Sequence, residues 1–236
     1  HLAALISGFD SLRSPDEYLQ ANLHGLLRVI DFAVETGVPR ILFASSSTVY
    51  GAAAAPGLTE RTLPQPMSVY AATKLMGEQL LAMYGALHGF THCSLRLFNV
   101  YGPRQATDHP YANVTCKFSH AAANGLPIDL YGDGEQSRDF VYVDDVVSAF
   151  LSVLEGSPSP VYNIGTGRET SIRELIAALE RIAGRPFEVR RQPEWPNDIR
   201  SISADCSRAA AELGFAPRVG VEQGLAETVD FFRRLG

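Results

Sequence analysis

Apolar and polar residues alternate along this chain with two different periods. Short apolar runs at residues 40–45, 91–98 and 161–164 predict buried strands. Residues 14–37, before the first run, and residues 68–84, between the first and second, carry apolar side chains every three or four positions. This spacing predicts amphipathic helices. Strands that alternate with helices in this way are typical of an α/β fold with a parallel sheet.

Capping residues mark where some of the helices begin. Ser14 and Glu17, and again Ser171 and Glu174, stand three residues apart as in a capping box, where each side chain satisfies a free backbone N–H group. Pro15 fits the first helical position after Ser14. Further helices are predicted at residues 113–124, 144–154, 207–213 and 221–235, and short strands at 128–130 and 188–191.

Composition narrows the class of protein. With 46% hydrophobic and 19% charged residues among 236, the chain has the make-up of a globular protein with a substantial core. A net charge of −6 without a block of like charges argues against a nucleic-acid partner, and no apolar stretch reaches the ~18 residues of a membrane span. Cys93, Cys116 and Cys206 are far apart, and the histidines show no ligand spacing. We therefore expect no metal, no membrane partner and a reducing, cytoplasmic location.

A tyrosine and a lysine four residues apart supply the first candidate chemistry. Tyr70 and Lys74 share one face of the predicted helix at residues 68–84. A free phenol has a pKa of about 10, and a fixed ammonium beside it favours the phenolate and lowers that pKa. Ser46 lies in a hydroxyl-rich segment at the carboxyl end of the first strand, where open α/β sheets bind ligands. The pattern predicts an acid/base site.

These residues and several other motifs carry a resemblance to a known family. The motifs are His1-Leu2-Ala3-Ala4, Ser45-Ser46-Ser47-Thr48-Val49-Tyr50-Gly51, Arg96-Leu97-Phe98-Asn99-Val100-Tyr101-Gly102-Pro103-Arg104, Gly132-Asp133-Gly134, Arg138-Asp139-Phe140-Val141-Tyr142-Val143-Asp144-Asp145 and Asn163-Ile164-Gly165-Thr166-Gly167. Because these motifs occur in this order, the sequence resembles the extended short-chain dehydrogenase/reductases, the NAD-dependent epimerases and dehydratases of nucleotide sugars.

The resemblance implies a doubly wound parallel, Rossmann-like sheet with a smaller C-terminal substrate lobe. Residues 1–110 would form the remainder of the NAD-binding domain, and residues 111–236 mostly the substrate lobe, with about 140–165 returning to the sheet. Family members open with a glycine-rich turn that holds the dinucleotide pyrophosphate, and no glycine run here has that spacing. We therefore expect the N-terminal strands to be missing, about 60–80 residues in two βαβ units. On its own, such a chain is expected to bind NAD poorly.

For catalysis, the resemblance implies an NAD-dependent nucleotide-sugar 4-epimerase. Tyr70 would be the general base for a sugar hydroxyl, Lys74 would bind the nicotinamide ribose, and Ser46 would hydrogen-bond the reacting hydroxyl. The sugar would be oxidised transiently at C4 and would take the hydride back on its other face. Ser45 and Ser47 remain alternatives with a purely structural role.

The resemblance also implies two groups of binding residues. Cofactor contacts would come from Ala3, Asn22, Tyr70, Lys74, Leu97 and Phe98. Substrate contacts would come from Ser46, Thr48, Asn99, Asn113, Tyr131, Arg138 and Arg200, with Arg138 on the diphosphate and Tyr131 against the base. Where family members often carry an arginine before a Pro-Gly-Asp turn, this chain has Trp195, so Arg200 is expected to bind phosphate and Trp195 could cover the sugar or base. A homodimer is expected for the full-length protein.

Three alternatives follow from the same residues. The 4,6-dehydratase branch of the family has Thr-Asp-Glu where this chain has Ser46-Ser47-Thr48, and the decarboxylase branch usually has a glutamate there, so the missing carboxylates disfavour both. Another epimerase or a reductase of the family would use the same Ser46, Tyr70 and Lys74. A non-catalytic nucleotide-sugar-binding fragment is the alternative from a different class.

Overall fold

The computed structural model describes residues 1–107, 113–156, 158–194 and 199–235. The strands are β1 (Arg40–Ser46), β2 (Thr91–Leu97), β3 (Asn99–Tyr101), β4 (Ile128–Tyr131), β5 (Ser137–Arg138), β6 (Phe140–Tyr142), β7 (Val161–Ile164), β8 (Thr170–Ser171) and β9 (Val189–Gln192). The α-helices are α1 (Asp10–Arg13), α2 (Pro15–Tyr18), α3 (Gly25–Thr36), α4 (Val69–His88), α5 (Val114–Asn124), α6 (Val143–Glu155), α7 (Ile172–Ala183), α8 (Ser207–Leu213) and α9 (Val221–Arg233). A π-helical segment covers Leu19–His24, and a 3₁₀ segment covers Ser47–Ala53.

The central sheet has three parallel strands in the order β1–β2–β7. Parallel neighbours require crossover connections, and α4 makes the one between β1 and β2. The backbone of His1 extends the pairing beside β1, because its amino group donates to the Leu42 carbonyl and its carbonyl accepts from the Ala44 N–H. The predicted α/β fold with a parallel, Rossmann-like sheet is thereby confirmed.

Smaller strand pairs surround the central sheet. β3 pairs with β6 and β4 with β9, both in parallel, whereas β5 and β8 pair antiparallel. Phe98 alone separates the end of β2 from Asn99 at the start of β3, so the chain leaves the central sheet there and enters the smaller pairs. The later strand β7 returns to pair with β2. A lobe that leaves and rejoins the sheet in this way places its loops beside the carboxyl ends of β1 and β2.

Two predicted helix starts have different outcomes. The Ser171 capping box is confirmed, since its hydroxyl accepts from the Glu174 N–H and the Glu174 carboxylate accepts from the Ser171 N–H. The predicted Ser14 capping box is wrong, because the Ser14 side chain makes no capping bond. Ser14 also ends α1, donating its N–H to the Asp10 carbonyl, and its backbone (φ −125, ψ 61) is not the extended form that a capping serine needs.

Apolar side chains fill four adjoining clusters of the core. One packs α3 and α4 against β1, and includes Leu26, Phe43 and Leu81. Two others lie around β7 with α6 and around α5, α7 and α9. The fourth joins Val49 and Phe98 to residues near 202, and so connects the carboxyl end of the central sheet with the C-terminal part of the chain. The site residues lie at this connection.

Candidate active site

Helix α4 turns one face toward the end of β1, and this face carries the candidate acid/base residues. Ser68 caps the helix by accepting a hydrogen bond from the Ala71 N–H, which fixes the first turn. Gly77 permits the close approach of helix and strand, because a Cβ atom there would lie 2.8 Å from the Phe43 ring. Tyr70 and Lys74 stand one turn apart on this face and are both buried.

The structure brings Tyr70 and Ser46 together. The Ser46 side chain lies close enough to the Tyr70 phenol to lower its pKa, and Tyr70 is only 8% exposed. The Ser46 hydroxyl oxygen also accepts bonds from the Thr48 N–H at 3.2 Å and from the Thr48 hydroxyl at 2.9 Å. Ser46, Thr48 and Tyr70 therefore form one hydroxyl cluster at the carboxyl end of β1, with Thr48 on its exposed side.

The expected lowering of the Tyr70 pKa is wrong for this structure. Burial raises the pKa of Tyr70 above its ordinary value, and the hydrogen bond from Ser46 opposes that effect in part. The Lys74 ammonium lies 5.8 Å from the centre of the Tyr70 ring, but it is bonded elsewhere. The spacing of Tyr70 and Lys74 correctly predicted a positive charge near the phenol. It could not predict how far burial removes the phenol from water, which raises its pKa.

Lys74 is a buried ammonium with unused hydrogen-bonding capacity. It is 4% exposed, donates to the Ala44 carbonyl at 2.7 Å and lies 4.9 Å from the centre of the Phe43 ring. The described parts of the chain show no further hydrogen bond from its three donors. Burial lowers the pKa of Lys74 to about 8. A buried cation of this kind fits ligand hydroxyl groups, which would accept the remaining donors and favour the charged form.

Asn22 ties the N-terminal segment to helix α4. Its side-chain oxygen accepts from the Leu5 N–H at 2.8 Å, and its amide nitrogen donates to the Leu5 carbonyl at 3.0 Å and to the Thr73 hydroxyl at 3.1 Å. Asn22 lies in the π-helical segment, where the widened turn accommodates the buried side chain. Its polar atoms bind protein, so the observed role is to hold the segment that contains Ala3 beside α4.

The segment after β1 turns sharply at Gly51. Gly51 has φ 47 and ψ −116, and a Cβ atom at this position would lie 1.9 Å from the carbonyl oxygen of Gln65. Only glycine can adopt this backbone conformation so close to the backbone of Gln65. The turn keeps Ser46 and Thr48 at the strand end while Val49 and Tyr50 reach into the core.

The other residues expected at the cofactor lie around the same strand ends. Ala3 is exposed, two residues beyond the pairing of His1 with β1. Leu97 pairs with Ser46 in the strand register and is half-buried, whereas Phe98 is buried in the cluster with Val49. All three therefore border the carboxyl end of the sheet.

A second group of expected residues gathers near the turn Gly132-Asp133-Gly134. Arg138 donates to the Ile199 carbonyl at 2.5 Å and to the Ser137 carbonyl at 2.8 Å. Arg200 forms an exposed ion pair with Asp133 at 2.9 Å, and its hydrogen bond holds the pKa of Asp133 below the ordinary range. Two guanidinium groups thus lie on neighbouring segments, a combination that suits phosphate oxygens.

The remaining expected contacts lie on β3, on β4 and at the start of α5. Asn113 caps α5, accepting from the Thr115 N–H and donating to the Val100 carbonyl at 3.2 Å, which brings it next to β3. The Asn99 N–H donates to the Asp139 carbonyl, beside Arg138. Tyr131 ends β4 and is half-buried. Trp195 falls outside the described residues.

Sequence reasoning missed a polar network beneath the hydroxyl cluster. Ser45, Arg96 and Asn163 are buried neighbours across the three central strands. Glu78 of α4 accepts two hydrogen bonds from Arg96, at 3.0 and 2.7 Å, and one from the Ser45 hydroxyl at 2.5 Å. Arg96 further donates to the Tyr50 hydroxyl, which is 2.6 Å from the Asn163 side-chain oxygen. Glu78 stands one turn after Lys74, so extending the helical spacing could have found it.

Asp139 is a second buried residue that the sequence did not single out. Its carboxylate accepts from the Thr166 N–H and hydroxyl, both at 2.7 Å, from the Gly167 N–H at 2.9 Å and from the Ala204 N–H at 3.0 Å. A Cβ atom at Gly165 would lie 2.5 Å from this carboxylate. Asp139 therefore joins the loop after β7 to the segment beyond Arg200, next to the expected diphosphate residue Arg138.

Metal sites and membrane-spanning helices are both absent from the described residues. Within residues 1–107, 113–156, 158–194 and 199–235, no group of three histidine, cysteine or carboxylate side chains could hold a metal ion. In the same described ranges, no helix combines the length and the apolar character that crossing a membrane requires.

Comparison with known proteins agrees with this geometry. The profile of the NAD dependent epimerase/dehydratase family matches residues 1–165. The chain is 40% identical to the UDP-glucose 4-epimerase of Mycolicibacterium smegmatis over 237 residues, which cover 99% of this chain and 75% of that protein.

Solved structures of 4-epimerases have the same fold. A UDP-glucose 4-epimerase from Thermotoga maritima with UDP-glucose superposes with a TM-score of 0.94 at 36% identity, over 100% of this chain and 76% of that one. A UDP-glucose 4-epimerase from Thermus thermophilus in complex with NAD gives a TM-score of 0.90 at 36% identity, over 98% and 76%. The hydroxyl cluster, the buried lysine and these similarities lead to one conclusion: the chain belongs to the NAD dependent epimerase/dehydratase family.

Proposed function

We propose that this protein is an NAD-dependent nucleotide-sugar 4-epimerase that acts on a UDP-sugar. The observation that carries the proposal is the meeting of three buried side chains at the carboxyl end of β1: the Tyr70 phenol, the Ser46 hydroxyl that lowers its pKa, and the Lys74 ammonium. The similarity to UDP-glucose 4-epimerases supports the same choice of reaction.

Tyr70 and Ser46 would handle the proton of the sugar's 4-hydroxyl group. The Tyr70 oxygen takes this proton and later returns it, acting as general base and then general acid. The Ser46 hydroxyl lies close to the Tyr70 phenol, so an oxygen bound beside them would touch both groups. Thr48, whose hydroxyl donates to Ser46, keeps the Ser46 oxygen oriented and borders the sugar on the exposed side.

Lys74 would hold the cofactor and ease the ionisation of Tyr70. When bound, NAD supplies the acceptor and donor of hydride that an oxidation and re-reduction at C4 requires. The free donors of the Lys74 ammonium fit the ribose hydroxyl groups, and Ala3, Leu97 and Phe98 border the same space. Ligand hydroxyls would favour the charged lysine, and the charge would in turn favour the Tyr70 phenolate.

The second residue group would bind the substrate's diphosphate and base. Arg138 would turn its guanidinium group toward the phosphate oxygens from a segment that its bond to the Ile199 carbonyl anchors. Arg200 would exchange its exposed partner Asp133 for phosphate oxygens, and Asn99 and Asn113 would add amide donors. Tyr131 would lie against the base.

The local carboxylates favour epimerisation over loss of water. Residues 45–50 contain no aspartate or glutamate. Glu78, which reaches Ser45, is bonded to Arg96 through both oxygens, and Glu60 accepts from the Asn163 N–H. Neither carboxylate is available to protonate a leaving hydroxyl, which an elimination would require.

We further propose that the protein forms a homodimer and that it acts in the cytoplasm. The outer face of α4 carries Met76, Met83 and Leu87, which are 43%, 55% and 71% exposed. An apolar stripe of this kind on a long helix fits a second copy of the protein. Light scattering after gel filtration, with Met83→Glu as the disrupting variant, would measure the mass.

A solvent-isotope experiment tests the reaction. The intact gene product is incubated with NAD and UDP-glucose, or UDP-N-acetylglucosamine, in deuterated water, and the sugar is followed by NMR. Inversion at C4 without deuterium in the sugar is expected, because the hydride never exchanges with solvent. Deuterium at C5, or loss of water, would contradict the proposal and indicate a dehydratase or 5-epimerase.

A further inference from the structure

A buried row of polar side chains crosses the sheet one residue before the catalytic hydroxyl. Ser45, Arg96 and Asn163 are neighbours in the register and are 3%, 5% and 0% exposed. Burying polar groups costs free energy unless they are bonded, and the chemistry proposed above uses none of these three side chains. The row therefore needs another explanation.

Glu78 connects this row to the catalytic helix. Tyr70, Lys74 and Glu78 stand on successive turns of one face of α4. They meet three consecutive residues of β1: Lys74 bonds the Ala44 carbonyl, Glu78 bonds the Ser45 hydroxyl, and Tyr70 lies by the Ser46 hydroxyl, which lowers its pKa. We propose that Glu78 is a positioning residue, whose ion pair with Arg96 fixes α4 against β1 so that Tyr70 and Ser46 meet. The chemical consequence rests on the proposed function, whereas the positioning itself does not.

The geometry of the pair suits this role. Glu78 and Arg96 meet through two parallel hydrogen bonds, and their side chains are 12% and 6% exposed. Burial alone would lower the pKa of Arg96, but the bonds to Glu78 outweigh it and hold this pKa above the ordinary value. A two-point contact fixes direction as well as distance, which a single hydrogen bond does not. Arg96 is in turn held by Tyr50, in the segment that follows Ser46.

Glu78 is a poor candidate for a proton carrier in its own right. Both oxygens accept bonds from Arg96, and one also accepts from Ser45. A proton placed on this carboxyl would displace a charge-assisted bond in a buried site. Its effect on the reaction therefore runs through the position of Tyr70.

An NMR measurement reads that position without relying on turnover. The intact gene product is labelled with [¹³Cζ]tyrosine, and the Tyr70 resonance is assigned by its loss in Tyr70→Phe. In Glu78→Gln, the resonance and the pKa of Tyr70 should both change, because α4 no longer holds the phenol in its position beside Ser46. Glu222→Gln breaks the exposed pair with Arg181 and serves as the matched control, with no change at Tyr70.

Kinetics supplies the second readout. Glu78→Gln should reduce kcat by about tenfold to a hundredfold with KM nearly unchanged, because small misplacement of a catalytic group acts on the chemical step. Glu78→Asp, which keeps the charge, should recover part of the loss. If Glu78→Gln does not fold, Ser45→Ala removes the link to β1 alone and should shift the Tyr70 resonance in the same direction.

Two results would overturn the proposal. One is a folded Glu78→Gln protein, or a folded Ser45→Ala protein in its place, whose Tyr70 resonance and pKa equal those of the wild type. The other is a loss of kcat that disappears on cooling, since it would then follow stability rather than position. A wild-type protein without epimerase turnover would contradict the proposed function, while the Tyr70 resonance would still decide whether Glu78 positions it.

Discussion

The ammonium group of Lys74 donates a 2.7 Å hydrogen bond to the carbonyl oxygen of Ala44, and the lysine is only 4% exposed. This contact places a positive charge at the end of β1 but satisfies one of three donors. Burial consequently lowers the pKa of Lys74 to about 8. Burial of the charged lysine therefore destabilises the ligand-free protein, and hydrogen bonds from a bound ligand would reduce this cost.

The ligand-free protein should become more stable, relative to Lys74→Met, as the pH rises. Below about pH 8 the lysine is charged in both folded and unfolded chains, so the full cost of burial is present. Between about 8 and the ordinary value of 10.5, the unfolded chain binds more protons, and the free energy of unfolding therefore increases with pH. The gain should approach about 3 kcal/mol.

Urea unfolding of both proteins measures this difference across the range. The comparison with Lys74→Met is needed because buried thiols such as Cys93, whose pKa burial raises to about 12, oppose the trend in both proteins. A stability difference that stays constant from about pH 7 to pH 10 would show that the ammonium does not carry the burial cost.

Arg138→Ala should weaken the binding of a UDP-sugar by about 1.5–3 kcal/mol, the usual range for hydrogen bonds to charged groups. NAD affinity should hardly change, since Arg138 lies with Ile199 and Ser137 rather than at the end of β1. Isothermal titration with each ligand provides the measurement. An equal loss for both ligands would point to a general disturbance of the fold. Arg200→Ala is the companion variant and should weaken UDP-sugar binding less. Arg200 is exposed in its pair with Asp133, and water can replace the contacts of an exposed charge.

Asp139→Ala should lower the free energy of unfolding by at least about 3 kcal/mol. The carboxylate is fully buried and accepts three backbone N–H bonds, from Thr166, Gly167 and Ala204, which the alanine would leave without an acceptor. Asp139→Asn keeps the shape and should cost less. Urea unfolding measures both, and a loss below about 1 kcal/mol for the alanine variant would mean that these N–H groups find other partners.

Local patterns predicted much of the fold because they depend on neighbours in the chain. The strand at residues 161–164 and the helix at 207–213 were placed with their observed bounds, and the Ser171 capping box forms as its spacing indicates. Pairings between distant segments could not be predicted in this way. The π-helical turn around Asn22 depends on bonds to Leu5 and Thr73, which no periodicity reports.

In the candidate site too, features that depend on neighbours in the chain were predicted, and features that depend on distant segments were not. The spacing of Tyr70 and Lys74 placed both residues on one buried face, and the hydroxyl of Ser46 reaches the phenol. The helical spacing that links Tyr70 and Lys74 extends to Glu78, but its partner Arg96 on β2 comes close only when α4 packs on the sheet, which no spacing in the sequence reports. The pKa of Tyr70 was misjudged because burial depends on everything packed around the phenol, and helical spacing reports one neighbour alone.

Removing the Tyr70 hydroxyl alone tests whether this residue is the general base. Turnover of UDP-glucose to UDP-galactose is measured for the wild type, for Tyr70→Phe and for Tyr84→Phe, which removes a phenol from the same helix where it stacks on His88. Tyr70→Phe should lose at least about a hundredfold in rate, the scale of general acid–base catalysis, with nearly unchanged melting temperature. Tyr84→Phe should keep wild-type activity. A folded Tyr70→Phe protein that epimerises at close to the wild-type rate would contradict the account.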